Sequence, residues 1–277
     1  MVEGIRIATA EEAKENKQYL TSLQELLFQL ADDDFILAYR GSEWLGLAPH
    51  IEEDVAFSSI SQDTMGHSVM FYEMLEELEA GRADDLAHLR SPDAFRNAIL
   101  VERVNGEGHY MEEPQYDWAY AIVRFYLYEL FKLVRLESLH RSSYQPLAVI
   151  AQKMMTELRY HLYHWQVWME HLVNGSEESC SKMKQALEKV WSDVSDLYTF
   201  GPKGEEMVRF GLIEGEALLA QRWMEKARQA LESYGLTWPG KPEPAQLSGR
   251  AGQHTEEMVC AVATLSEVYR LNPAANW

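Results

Sequence analysis

Four helical segments of this chain each place an ionisable residue on a stripe that is otherwise apolar, and a charge in a core restricts a fold more than composition does. The first stripe runs Leu20, Leu23, Leu27, Leu30, Asp34, Leu37, and the second Ile60, Asp63, His67, Met70, Met74. The third is Trp118, Ile122, Phe125, Glu129, Leu133, Leu136; the fourth is Ile150, Met154, Glu157, His161, Trp165, Trp168, Leu172. Steps of three and four residues keep side chains on one helix face, so these acids and both histidines are expected to point into a bundle. An unpaired charge there costs on the order of several kcal/mol, so each group must be paired, protonated or bound to a metal.

The rest of the chain reads as helix as well, with charge-rich stretches at helical period and no convincing alternating run. The pattern predicts long helices over about 14–46, 51–80, 115–141, 145–173, 181–199, 203–233 and 254–271, and a shorter one over about 92–103. Pro49 and Pro146 mark two tight connections, because proline cannot continue a preceding helix but suits the start of the next. Between the two hairpins lies a longer polar crossover, 81–114. Two helical hairpins joined by one crossover, with acid, acid plus His, acid, acid plus His in order, form the pattern of a ferritin-like di-iron four-helix bundle. The proline-rich stretch 236–245 reads as an extended linker to the last helix.

With 277 residues, 47% of them hydrophobic, a single domain over 1–277 is expected, its core bundle at about 14–173 and its additional helices at about 181–271. A formal net charge of −19 repels phosphate backbones and anionic lipid, which sets nucleic acid and membrane surfaces aside as partners. Cys180 and Cys260 form no CxxC and no disulfide framework. Residues 1–16 hold no apolar signal core, and no run of about 18 apolar residues occurs, so a soluble cytoplasmic protein is expected.

Helix geometry tests whether the polar residues share a level. Counted from Pro49 at 1.5 Å per residue, His67 lies roughly 24 Å into its helix, level with residues 30–34 of the helix before. That selects Asp34 from the run Asp32, Asp33, Asp34, since it alone falls on the apolar stripe, and disfavours Glu43. The same count around Pro146 sets His161 within about one turn of Glu129. Asp34, Asp63, His67, Glu129, Glu157 and His161 can therefore share one layer.

Three motifs then point to a family. With GSEWLGLAP at 41–49, ELRYH at 157–161, GRAGQHTE at 249–256 and the terminal Trp277, the chain resembles PaaC, the ferritin-like non-catalytic partner of the multicomponent phenylacetyl-CoA epoxidase. The resemblance runs from about residue 20 onward. It implies an accessory subunit that packs against a PaaA-like catalytic di-iron subunit and other subunits of the complex, in aerobic phenylacetate degradation. A homodimer is the form open to it when alone.

Catalytic di-iron subunits carry Glu-x-x-His on two helices, because residues three apart reach the same metal pair. Here Thr64 and Leu158 stand three before the histidines, and the acids stand four before. That spacing suits an acid–imidazolium pair within one helix, and it also leaves open joint binding of one metal. A metal-free network is the favoured account, with no cofactor or metal expected and His67, His161 and Arg124 or Arg159 as counter-charges. The alternative is a di-iron oxygenase or oxidase in its own right, with the same six residues as ligands. The aromatic residues Tyr126, Tyr128, Tyr160, Tyr163, Trp165 and Trp168 read as core or interface. GRAGQHTE reads as a flexible lead-in with Thr255 as helix cap, His109 and His254 as ordinary polar residues, and Glu43 as an ion-pair partner of Arg40.

Overall fold

The computed structural model describes residues 6–275, so the terminal Trp277 lies outside the described residues. Asn16 caps the first long helix, its side chain accepting from the backbone N–H of Gln18 and Tyr19. After the short α1 (Ala10–Lys14), helices α2 (Lys17–Ser42) and α3 (Ile51–Glu77) form one hairpin across the Pro49 turn. They approach closely at Gly41, where a Cβ would lie 2.3 Å from Ser61 Oγ. The second hairpin is α6 (Trp118–Leu139) and α7 (Gln145–Gly175), with Pro146 in the first turn of α7.

The crossover holds α4 (Ala83–His88), a 3-10 turn at Pro92–Ala94, α5 (Ile99–Glu102) and a two-residue antiparallel ribbon, β1 (Gly106–Glu107) with β2 (Gln115–Tyr116). The helix expected over 92–103 is instead split into the 3-10 turn and α5 by extended chain at 95–98. Its backbone N–H groups at Arg96, Ala98 and Ile99 donate to the carboxylates of Asp32, Asp33 and Asp196, so helical pairing loses to buried acceptors that need donors. The ribbon, which the sequence did not suggest, depends on Gly106, where a Cβ would meet Gln115 O at 2.2 Å.

Beyond the bundle lie α8 (Glu177–Trp191), α9 (Gly204–Arg209), α10 (Glu216–Ser233) and α11 (Glu256–Leu271). The helix expected over 203–233 is broken between α9 and α10 at Gly211, whose φ of 68° ends the helical path while its carbonyl accepts from Ser143 N. The fold is all-α, a ferritin-like four-helix bundle of α2, α3, α6 and α7 with additional C-terminal helices. Among the described residues no helix is long and apolar enough to cross a membrane.

The added helices pack mainly on α2 and α6, with α8 also reaching α7. Burial follows. Residues 29–41 of α2 and 119–132 of α6 are unbroken buried runs, whereas α3 and α7 alternate between a buried face and an exposed one.

Candidate functional site in the bundle core

Three consecutive aspartates on α2 show what burial on every side demands. Successive residues on a helix point about 100° apart, so no single neighbour can answer Asp32, Asp33 and Asp34, all 0% exposed. Each has its own cation. Asp32 takes Arg90, the hydroxyl of Tyr72 at 2.6 Å and Arg96 N at 2.7 Å. Asp33 takes Arg135 at 2.7 Å and Arg250 at 2.8 Å, and these guanidinium groups outweigh burial and hold its carboxyl below the usual range. Asp34 takes Lys132 Nζ at 2.8 Å on both oxygens and the hydroxyl of Tyr128 at 3.1 Å; burial still leaves its carboxyl above the ordinary value.

Lys132 links this row to the histidines. Its Nζ also lies 2.9 Å from His67 Nδ1, which accepts, so the proton on that ring belongs on Nε2, where it donates to Glu157 Oε2 at 2.7 Å. Burial, together with the charges of Lys132 and His161, pushes the His67 pKa down to about 2, so the contact with Glu157 joins a neutral imidazole to a carboxylate.

His161 goes the other way. Burial alone would lower its pKa, but Glu129 Oε1 at 3.4 Å from Nδ1 and Asp63 Oδ2 at 3.2 Å from Nε2 outweigh it, and the imidazolium is favoured. Lys132 and His161 thus stand against Asp34 and Glu129. Asp63 and Glu157 keep side-chain exposures of 46% and 49%, and water solvates their charge.

The structure thus brings all six sequence-selected residues into one cluster and revises three expectations. Asp63 and Glu157 lie at the rim rather than inside, because α3 and α7 bury only one face each. The acid–histidine pairs run between helices, His67 to Glu157 and His161 to Asp63, which also sets α3 and α7 antiparallel at this level. Of the expected counter-charges, both histidines lie in the cluster, but only at His161 is the protonated form favoured. Arg124 contacts Arg103 O and Asn105 Oδ1 instead, and Arg159 is exposed.

Lys132, Arg135 and Arg250 were missed by sequence reasoning. The signal for Lys132 was present: it stands three after Glu129, on the same face as the stripe carried through Leu133. GRAGQHTE is no flexible lead-in, since Arg250 is buried on Asp33 and His254 Nδ1 lies 2.7 Å from Glu102 Oε2. Glu102 also accepts from Thr255 N, while the Thr255 hydroxyl makes no cap. The Arg40–Glu43 pair forms at 3.0 Å. Tyr126, Tyr128 and Trp165 are core, whereas Tyr160 and Tyr163 are exposed.

A ferritin-like bundle with inward carboxylates and imidazoles raises the question of a metal pair, and this donor set does not fit one. The ammonium of Lys132 engages both oxygens of Asp34 and Nδ1 of His67, the lone pairs a metal would need. Where bridging carboxylates would stand, Leu158 has no donor and the Thr64 hydroxyl donates to Ile60 O. Among the described residues no group of three or more His, Cys, Asp or Glu is arranged to hold a metal ion.

One of the subunits of the 1,2-phenylacetyl-CoA epoxidase of Escherichia coli (strain K12) is 28% identical to this chain over 259 residues, covering 93% of this chain and 100% of that protein. A family model described as phenylacetic acid catabolic protein matches residues 3–277. With that match spanning every element of the bundle and the residues that fill its core, the chain belongs to the phenylacetic acid catabolic protein family.

Proposed function

We propose that this protein is the non-catalytic structural subunit of a phenylacetyl-CoA epoxidase, acting in aerobic phenylacetate catabolism in the cytoplasm beside a PaaA-like catalytic di-iron subunit. The observation that carries this reading is Lys132, fixed at 2.8 Å to Asp34 and 2.9 Å to His67. A lysine ammonium there supplies the positive charge that metal ions supply in a catalytic bundle, and it cannot change oxidation state or bind oxygen. The core then serves stability and shape. The identity to an epoxidase subunit over the full length of that protein supports the pathway.

Co-expression with the catalytic subunit, followed by elemental analysis, tests this. A stable complex is expected, with iron in the catalytic subunit and none in this chain after anaerobic reconstitution. Roughly two irons bound to this chain alone would overturn the reading in favour of an oxygenase or oxidase active by itself, as would failure to associate at micromolar concentration.

A further inference from the structure

We propose that the outward face of α3 and α7 is the surface on which the partner subunit of the epoxidase docks, meeting it with an apolar ridge flanked by Lys and Arg side chains; this rests on the subunit reading above.

The added helices leave this face uncovered. Ile51 and Val55 on α3 and Tyr160, Tyr163 and Val167 on α7 all project outward, with Tyr160 75% and Ile51 70% exposed. Exposed apolar residues elsewhere lie in turns, singly on a helix, or on α11 alone (Val259, Val268, Leu271), whereas these align along two antiparallel helices. Between the helices runs a groove of about 410 Å³ lined by Val167 and by Trp168, whose Nε1 donates to the buried Glu53 at 2.5 Å. His164 holds the same carboxylate at 2.9 Å, so the indole is fixed before anything binds.

Area and charge both name the occupant. Helices of 27 and 31 residues, each at least roughly 40 Å long, are joined across this face from Glu53–Trp168 to His67–Glu157. With about 20 Å of breadth they offer roughly 800 Å² to one partner, the amount a stable complex needs. Exposed acids on the face, Asp63, Glu157, Glu52, Glu73 and Glu170, outnumber the bases Lys153 and Arg159. Among the described residues no Lys or Arg pairs with Asp63 or Glu157. A second copy would bring the same negative surface against itself, with a net charge of −19 on each chain. A basic-flanked apolar ridge is the complement.

The test measures affinity between the purified chain and the catalytic di-iron subunit. A Val55→Glu/Tyr163→Glu variant alters two exposed side chains and keeps the parent's thermal transition. It is expected to weaken binding at least about ten-fold, whereas Leu218→Glu on α10 and Val268→Glu on α11 stay within about two-fold. Wild-type affinity is expected to fall as salt rises. Unchanged binding by the double variant overturns this inference and leaves the subunit reading standing. If the wild-type chain does not bind at all, the subunit reading fails and takes this inference with it. A self-dimer of the wild type that the double variant abolishes overturns it in favour of a second copy.

Discussion

The α2–α6 half of the bundle and the α3–α7 half are built from helices of comparable length and end in opposite surroundings. On α2 and α6 every face of the buried runs meets protein, and each of the three aspartates there is answered by a placed cation: Asp32 by Arg90, Asp33 by Arg135 and Arg250, Asp34 by Lys132. On α3 and α7 one face meets water, and Asp63 and Glu157 need only half an answer, one histidine contact each. The difference shows that what a buried charge requires is set by how many of its sides lose water.

The largest way to break that comparison is Lys132→Met, which strips Asp34 of its cation while leaving it buried. We expect a loss of about 3–5 kcal/mol in urea unfolding, most of it recovered in Asp34→Leu/Lys132→Met, where no charge is left unanswered. A single-variant cost under about 1 kcal/mol would mean that water reaches the site. Next comes Arg250→Met, which removes one of two cations on Asp33 and should cost about 2–3 kcal/mol, since Arg135 remains. The same measurement reads it, and a neutral result would show that the 249–256 loop does not hold α2.

The two histidines sharpen the contrast through pH. His67 has its folded pKa lowered to about 2, so below about pH 6.5 the unfolded chain takes up a proton that the folded one refuses. Stability from this group is present above that value and lost as pH falls, by up to about 1.4 kcal/mol per pH unit. His161 has its folded pKa raised, so its contribution is full below about pH 6.5 and is lost as pH rises through the folded value. In pH-resolved unfolding, His67→Gln should flatten the acid limb and His161→Gln the limb above about pH 6.5. The reverse assignment would show that the charged ring is the other one. The smallest effect belongs to Asp63→Asn and Glu157→Gln. Half in water, each should cost less than about 1 kcal/mol by the same unfolding assay.

Much of this was legible in the chain. Prolines and stripes marked the two hairpins and the crossover, and the level count chose Asp34 over Glu43 because helix rise is constant. The six polar residues do meet. What stayed hidden has two physical causes. A helix buried all round carries no polar face to contrast with a core face, so nothing marked Asp32 and Asp33 on α2 or Lys132 on α6 as core residues. And a partner far along the chain leaves no local spacing: Arg250 reaches Asp33 across more than two hundred residues, which no period in the sequence encodes.

By itself, then, the sequence determined helix, turn and hairpin, together with the inward aim of His67 and His161, because these follow from backbone sterics and from the spacing of apolar side chains. Only the tertiary structure decided which cation meets each acid, which imidazole is favoured in its protonated form, and that α3 and α7 are left with a bare face. Those outcomes depend on distances and lost hydration among segments that meet only once the chain has folded.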